Sequence, residues 1–236
     1  EKLVGPALKG TENVLNSVTA AGTVKTVVLT SSVASVMVNN RDPKYVYTEK
    51  DWSDVEFMRS YKIWYPLSKT LAEKKAWEMQ KESGGKWKLV VMCPSLVWGP
   101  MVQPSLNTSS GVVLDYLNGT TKEIGNKSSQ VVDVRDVAMA HIRGYEVKNA
   151  SGRYLLVGGD ILAKDICSIL REREPQNGNI PSEPSEKLPP PKIRLQDCSK
   201  AEKELGIKFI SPREQVLATY GSLKYHKLWT PSPNEA

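Results

Sequence analysis

The chain has 236 residues, 40% of them hydrophobic, which is enough apolar material for a sizeable core in a globular protein of enzyme size. The formal net charge of +6 is spread along the chain without a recognition motif, so we expect no nucleic-acid partner. The sequence has neither an apolar run of about 20 residues nor a signal-peptide pattern, so we expect no membrane segment and a cytoplasmic location.

The three cysteines are odd in number, widely spaced and never arranged as a CxxC pair. This spacing argues against a disulfide framework and against a zinc site. It predicts reduced thiols at Cys93, Cys167 and Cys198, and we expect no bound metal.

The first half of the chain alternates between helix and strand patterns. Apolar residues spaced for one helix face, followed by a glycine, predict a helix over residues 5–22. Two short β-branched runs, at residues 24–30 and 88–93, predict strands that are buried on both faces. Between them, residues 38–60 lack sustained periodicity and are interpreted as a long loop, and a second helix is predicted over residues 66–82. This order is typical of a parallel α/β sheet, in which we expect the two strands to be near neighbours.

The second half has a different texture. Residues 131–147 predict a short strand that leads into a helix, and residues 152–159 predict a third strand. Residues 171–192 are rich in Pro, Ser and Glu and are interpreted as an exposed connection. Two helices are predicted near the C-terminus, with Ser199 and Ser211 as their N-caps.

Tyr65 and Lys69 are four residues apart at the start of the second predicted helix, so they share one helix face. An unperturbed tyrosine, with a pKa near 10, is a poor acid or base at neutral pH, but a nearby ammonium favours the phenolate. A phenol tuned in this way can pass a proton to a developing alkoxide. A helix N-terminus with a packed aromatic ring and a solvated lysine would show the same pair, so both interpretations stay open at this point.

Polar residues follow both strands of the predicted sheet. Thr30, Ser31 and Ser32 come after the first strand, and Pro94 and Ser95 come after the second. Open parallel sheets bind ligands outside the carboxyl ends of their strands, where a serine can hydrogen-bond a substrate carbonyl. Serines that merely form a turn are the alternative.

Seven segments, in order, resemble the plant-type extended short-chain dehydrogenases/reductases, close to the cinnamoyl-CoA reductases and dihydroflavonol 4-reductases. They are PALKGTENVL, VKTVVLTSSVASV, DWSDVEF, WYPLSKTLAEKKAW, VVMCPSLVWGP, VVDVRDVAMAHI and SGRYLL. The resemblance covers nearly the whole chain. It implies a Rossmann-type, doubly wound parallel sheet with a smaller C-terminal substrate domain, and reduction of a carbonyl with NADPH (NADP) as cofactor.

The resemblance also implies roles for individual residues. Ser32, Tyr65 and Lys69 correspond to the catalytic triad, and Lys69 also holds the nicotinamide ribose. Residues 94–97 border the nicotinamide by the same resemblance. With the end of the first strand included, the expected cofactor contacts are Thr30, Ser31, Tyr65, Lys69, Pro94, Ser95, Leu96 and Val97.

We expect the substrate to approach over the nicotinamide end, covered by the loop after the serines and by the region after Pro100. The candidate substrate contacts are Met37, Val102, Gln103 and Tyr116. Their apolar and aromatic character suits a phenylpropanoid- or flavonoid-like ring that bears a carbonyl or an acyl-CoA thioester. The expected partner is therefore a small aromatic molecule, and the oligomeric state cannot be read from these residues.

The resemblance also predicts the domain organisation. Residues 1–100 correspond to the C-terminal half of the NAD(P)-binding domain, onto which residues 129–158 would pack back, and residues 101–236 correspond to the substrate-binding region. The sequence contains no G-x-G-x-x-G or G-x-x-G-x-x-G motif and begins at Glu1 without a methionine. We therefore expect a fragment that lacks the first strands of the sheet, in which the choice between NADP and NAD cannot be read.

Two departures bear on the substrate. The chain reads IWYPLSK where cinnamoyl-CoA reductases usually carry NWYCYGK, and it has Met37 where dihydroflavonol reductases usually have an Asn that contacts the flavonoid. The motifs therefore leave the substrate open. The alternative to a reductase is a catalytically inactive remnant that acts, if at all, by association with another subunit.

Overall fold

The computed structural model describes residues 2–182 and 193–231, which form two compact units. Unit 1 is drawn from Glu1–Ser95, Ala138–Leu156 and Arg194–Lys208, and unit 2 from Leu96–Val137, Val157–Ile193 and Phe209–Ala236. Much of the predicted exposed connection, residues 183–192, lies outside the described residues.

The elements follow in chain order. They are α1 (Val4–Ala21), β1 (Thr26–Thr30), a 3₁₀ turn (Val33–Ser35), β2 (Val46–Tyr47), α2 (Val55–Ser60), α3 (Trp64–Glu82), β3 (Lys88–Pro94), β4 (Leu96–Trp98), α4 (Thr108–Leu117), β5 (Ser128–Asp133), α5 (Val134–Glu146), β6 (Gly152–Leu156), β7 (Gly159–Leu162), α6 (Ala163–Arg173), β8 (Leu195–Gln196), α7 (Ser199–Leu205) and α8 (Pro212–Tyr225). Among the described residues, none of these helices is both long enough and apolar enough to cross a membrane.

Unit 1 is built on a three-stranded parallel sheet with the strand order β1-β3-β6. Thr26 pairs with Lys88 and Thr30 with Met92, so the two strands predicted from the sequence are immediate neighbours, as expected. Five consecutive residues of β3, from Leu89 to Cys93, are buried, which accounts for its unbroken apolar run.

Helices cover both faces of this sheet. Met92 lies against α5, because a Cβ added at Gly144 would meet its Cε at 2.5 Å. The next residue, Cys93, lies 4.0 Å from a carboxylate oxygen of Glu73 on α3. Consecutive strand residues point to opposite faces, so α3 and α5 lie on opposite sides of the sheet. The predicted α/β class, with a Rossmann-type parallel sheet, is confirmed.

Local signals explain most element boundaries. Helix α1 ends before Gly22, which adopts a left-handed conformation with φ +66°, as predicted for a C-cap. The loop predicted at residues 38–60 is partly wrong, since it contains β2 and the six-residue helix α2. The Asp54 side chain accepts a hydrogen bond from the backbone N–H of Phe57 and caps α2, which is too short to show apolar periodicity.

Unit 2 contains a smaller mixed sheet, in which β4 pairs parallel and β7 antiparallel with β5. Helices α4, α6 and α8 pack around an apolar core, whose largest fully buried side chains include Trp98, Leu117, Ile166, Leu170 and Leu223. Ser211 caps α8 in a capping box with Glu214, as predicted for this serine. The N-cap of α7 is Cys198, so the prediction of Ser199 in that role is wrong by one position.

Candidate active site

The carboxyl end of β1 leads directly into the predicted catalytic serine. Ser32 has an extended backbone and is the N-cap of the 3₁₀ turn, and its Oγ accepts a hydrogen bond from the N–H of Ala34 at 3.1 Å. The same hydroxyl donates to the carbonyl oxygen of Pro94 at 3.5 Å, which is long for an O–H···O bond. Its orientation is therefore fixed by a backbone N–H, while its proton is only weakly engaged.

Tyr65 and Lys69 lie on the first two turns of α3, as the sequence predicted. Tyr65 is 54% exposed. Its backbone carbonyl oxygen accepts a hydrogen bond from Ser68 Oγ at 2.7 Å. The N-terminal end of a helix carries a partial positive charge, because its first N–H groups have no partner within the helix. Tyr65 is the second residue of α3 and so belongs to this end of the helix.

A cavity of about 180 Å³ lies beside Lys69 and the end of β1, and its lining includes neither Ser32 nor Tyr65. Thr30, Ser31 and Lys69, three of the predicted cofactor contacts, are among its lining residues, together with Ala7 and Thr11 from α1. No hydrogen bond to the Lys69 ammonium is found within residues 2–182 and 193–231. An ammonium has three protons to donate, so a ligand in this cavity would meet an available donor.

The hydroxyl groups of Thr30 and Ser31 are already hydrogen-bonded. Thr30 Oγ1 lies 2.7 Å from Nε2 of His141, and Ser31 Oγ donates to the Glu73 carboxylate at 2.5 Å. At the end of β3, the backbone N–H of Ser95 bonds to the carbonyl oxygen of Leu156. Its buried side-chain hydroxyl has no partner within the described ranges.

A buried ion pair lies directly behind the serine turn. The Glu73 side chain is fully buried, and its Oε1 is 2.6 Å from Nε of Arg153 on β6. Arg153 stacks on the ring of Trp52, with its guanidinium carbon 3.9 Å from the ring centroid. Burial, followed by the charge of Glu73, raises the pKa of the neighbouring Cys93 thiol to about 12, so this cysteine is un-ionised at neutral pH.

Sequence reasoning did not single out Glu73 or Arg153. Glu73 follows Lys69 by four residues and therefore continues the helix face of Tyr65 and Lys69, which was an available signal. Arg153 stands in a predicted strand next to an apolar run, and a charge that becomes buried in such a position needs a partner. The partner lies 80 positions away, so local sequence could not identify it.

Met37 lies in unit 1, after the 3₁₀ turn, and it is almost fully buried. The other three predicted substrate contacts belong to unit 2. Val102 is 94% exposed, and Tyr116 is 6% exposed within the apolar core, where burial raises the pKa of its phenol. Gln103 lines a cavity of about 340 Å³ together with Val97, one of the predicted cofactor contacts. Leu96, another of them, begins β4.

Comparison with known proteins places this arrangement in a family. The family model for the 3-beta hydroxysteroid dehydrogenase/isomerase family matches residues 2–147. Cinnamoyl-CoA reductase 1 from Arabidopsis thaliana is 39% identical over 95% of the chain and 64% of that protein. A cinnamoyl-CoA reductase from Medicago truncatula is 40% identical over 96% of the chain and 68% of that protein. The chain thus spans about two thirds of the length of these relatives.

The structural comparison agrees with the sequence comparison. The crystal structure of Gre2 from Candida albicans in complex with NADPH superimposes with a TM-score of 0.83 at 30% identity, over 95% of this chain and 71% of that one. Similarity at this level extends over both units and is not restricted to the YxxxK motif. The chain therefore belongs to the 3-beta hydroxysteroid dehydrogenase/isomerase family, within the extended short-chain dehydrogenases/reductases, and cinnamoyl-CoA reductases are among its relatives.

Proposed function

We propose that this chain carries the reducing centre of an NADPH-dependent reductase that acts on a carbonyl or an acyl-CoA thioester of a phenylpropanoid- or flavonoid-like molecule. The observation that carries the proposal is the end of β1, where the Ser32 proton is held only by a 3.5 Å contact and Lys69 lines the adjoining cavity. Relatives named as cinnamoyl-CoA reductases support the reaction class, and the NADPH complex of Gre2 supports the cofactor.

The residues around this cavity fit one end of the cofactor. A volume of about 180 Å³ is below the roughly 300–1,000 Å³ of sites that enclose drug-sized ligands, so it would accept the nicotinamide ribose and not a whole dinucleotide. Lys69 would hold the ribose hydroxyls through its available ammonium protons. When bound, NADPH supplies the hydride that reduces the substrate carbonyl.

Two side chains of this chain would act on the carbonyl oxygen, and a third would support one of them. Ser32 would donate its weakly engaged proton and so polarise the carbonyl before reduction. Tyr65 would give its phenolic proton to the oxygen as the alkoxide develops. Lys69, one helical turn away, would stabilise the phenolate that remains. With an acyl-CoA substrate, collapse of the tetrahedral alkoxide would instead expel the thiolate of CoA.

Substitution of Tyr65 gives the sharpest test, in the protein expressed from its complete reading frame. Tyr65→Phe removes one hydroxyl, so we expect kcat to fall by about 10²- to 10⁴-fold while the affinity for NADPH stays nearly unchanged. Lys69→Ala should reduce both, because the ammonium would act on the phenol and on the ribose. We would measure NADPH oxidation with cinnamoyl-CoA, cinnamaldehyde, a dihydroflavonol and simple aldehydes, and cofactor binding by fluorescence.

Tyr61→Phe is the matched control. Tyr61 is more exposed than Tyr65, at 69%, and its ring packs at a tilt against that of Phe57, with the ring centroids 4.7 Å apart. We expect this change to leave turnover unaltered. Full turnover in Tyr65→Phe would overturn the mechanism.

A second candidate is an inactive chain that acts through association with another subunit. It is favoured by three exposed apolar side chains at a spacing of three residues on α5, Met139, Ile142 and Tyr145. A wild-type protein that is inert on every carbonyl of the panel would favour this candidate over the reductase.

Three free thiols support the proposed cytoplasmic location in either case.

A further inference from the structure

One carboxylate oxygen contacts the residues on both sides of Ser32. Oε2 of Glu73 accepts a hydrogen bond from Ser31 Oγ at 2.5 Å and lies 2.6 Å from Ser35 Oγ. The backbone N–H of Ser35 bonds to the carbonyl oxygen of Ser32 at 2.9 Å. The contacts of Ser31 and Ser35 with Glu73 therefore restrain the chain before and after Ser32. A rotation of the Ser32 backbone would break them.

The hydroxyl proton of Ser35 has two possible acceptors. Its hydroxyl lies near two acceptors, the Glu73 carboxylate and the carbonyl oxygen of Ser32 at 2.8 Å, but it has a single proton. Nη2 of Arg153 donates a hydrogen bond to Ser35 Oγ at 3.0 Å and so occupies a lone pair of that oxygen. The Ser35 proton is thus directed to one of two acceptors, and both restrain the serine turn.

Arg153 in turn fixes the loop in front of the turn. Its Nη1 donates to the carbonyl oxygen of Glu49 at 3.1 Å and also to that of Asp51. Ser53, two residues further on, bridges Ala34 and Val38, since its hydroxyl donates to the carbonyl of the first and accepts from the N–H of the second, each at 2.8 Å. The ion pair therefore holds β6, the loop and the serine turn in one network.

Stability alone does not explain a fully buried ion pair. Removing two charges from water costs free energy that their attraction often fails to recover, and well-packed apolar residues commonly replace such a pair without loss. What an apolar pair could not supply is a fixed hydrogen-bond direction. Glu73 lies on α3, one turn after Lys69 and two turns after Tyr65, so it connects the helix of the proton donor to the turn of Ser32.

We propose that Glu73 is a positioning residue for carbonyl reduction, which holds the Ser32 hydroxyl in register with Tyr65 and Lys69 through its contacts to Ser31 and Ser35. The inference rests on the proposed function for the reaction that it serves. Glu73 does not itself touch substrate or cofactor in this scheme. Its contribution to kcat should therefore pass entirely through Ser32.

A kinetic double-mutant cycle tests this dependence in the full-length protein. Ser35→Ala breaks one link and leaves the ion pair intact, and we expect it to lower kcat about tenfold, the effect of one misplaced hydrogen bond. Glu73→Gln should lower kcat at least as much, with the KM for NADPH unchanged. In a Ser32→Ala background both changes should cost less than about twofold, because the group they position is gone. Additive losses in that background would overturn the proposal.

Thr70→Ala is the control for a lost buried hydroxyl. Thr70 lies on α3, is fully buried, and its hydroxyl donates to the carbonyl oxygen of Pro66 at 2.8 Å and not to Glu73. We expect its kcat to match the wild type even if its melting temperature falls. An equal loss of kcat in Thr70→Ala and Ser35→Ala would mean that the effect is merely structural.

Amide hydrogen exchange separates failure of this inference from failure of the proposed function. A wild type inert on every carbonyl would refute the reductase, and exchange alone would then decide whether Glu73 restrains the turn. In Glu73→Gln and in Ser35→Ala we expect amides of residues 33–37 to exchange at least tenfold faster, while those of β3 stay unchanged. Unchanged exchange at residues 33–37 would overturn the inference whether or not the protein is active.

Discussion

The two units bury different kinds of material. The core of unit 1 contains an ion pair, Glu73–Arg153, in contact with buried serine hydroxyls. The core of unit 2 is a continuous apolar cluster that includes Trp98, Leu170 and Leu223. Both side chains of the Glu73–Arg153 pair are shielded from water, whereas in the Asp133–Arg135 pair of unit 2 the aspartate is buried and the arginine is half exposed.

The difference separates two uses of burial. Apolar burial is non-directional, so the apolar cluster of unit 2 stabilises its helices without itself orienting a polar group. A buried polar network is costly when incomplete and directional when complete. Unit 1 has its network at the end of β1, where the proposed chemistry requires a hydroxyl in one orientation. The following predictions test this contrast.

Breaking the ion pair should give the largest effect on stability. Arg153→Ala would leave the Glu73 carboxylate buried without its partner, so we expect the free energy of unfolding to fall by about 3 to 5 kcal/mol. The double change Glu73→Leu with Arg153→Met removes both charges and should cost less than Arg153→Ala alone. Denaturant unfolding would measure both variants.

The activity of the double variant tests the contrast between the two cores further. The double variant should keep most of its stability and lose carbonyl reduction, because its apolar pair cannot orient the serine turn. Lys75→Ala is the control, since Lys75 forms an exposed pair with Glu78 at 3.1 Å and exposed pairs contribute little to stability. A double variant that is as active as the wild type would contradict the contrast between the two cores.

In unit 2 we expect the largest loss of stability from a substitution that leaves a cavity in the apolar cluster. Leu170 is fully buried in the apolar cluster, so Leu170→Ala should lower the free energy of unfolding by about 3 kcal/mol. Leu106→Ala is the matched control, because Leu106 is an exposed leucine of the same unit and its loss should change little. By hydrogen exchange, we expect faster exchange in α6 and α8 and unchanged exchange in the serine turn. An equal increase in the turn would mean that the two cores are not independent.

The apolar strands and helices of unit 1 can be predicted from the sequence better than its buried polar network can. The runs that become β1 and β3 are short and β-branched, which predicts neighbouring strands of a parallel sheet. Strand β3 is buried as predicted, but the prediction that β1 is buried on both faces is wrong, because β1 lies at the edge of the three-stranded sheet and all five of its residues are partly or fully exposed. Helix α1 and its Gly22 cap are equally local signals. Helix α2 was missed because a six-residue helix cannot display a 3.6-residue period.

The candidate site divides in the same way. Ser32, Tyr65 and Lys69 can be predicted because a strand end and an i, i+4 pair are local patterns, and their joint role stays a prediction. Glu73 and Arg153 could not be paired from sequence, since a helix and a strand 80 positions apart must first fold together. A residue's position can follow from local pattern, whereas the partner of a buried charge depends on the tertiary fold.

Acid should give the smallest effect, with opposite signs at two carboxylates. For Asp51 in unit 1, burial would raise the pKa, but hydrogen bonds from Thr48, Tyr45 and Arg41 outweigh it and lower the pKa. For Asp136 in unit 2, burial dominates over a hydrogen bond from the Ile210 N–H and raises the pKa. Relative to the unfolded state, the folded protein stabilises the carboxylate form of Asp51 and destabilises that of Asp136. Protonation therefore changes the free energy of unfolding in opposite directions at the two residues.

The signs follow from which state binds the proton first. As the pH falls through about 4, the unfolded chain protonates Asp51 before the folded protein does, so its contribution to stability is lost below that pH. Asp136 takes up its proton in the folded protein first, so its unfavourable contribution is relieved as the pH falls. Asp51→Asn should therefore flatten the loss of unfolding free energy between pH 5 and 3, and Asp136→Asn should steepen it, each by at most about 1.4 kcal/mol per pH unit. Both variants make the same chemical change, so a shift in the same direction would refute the assignment of opposite electrostatic roles to these two carboxylates.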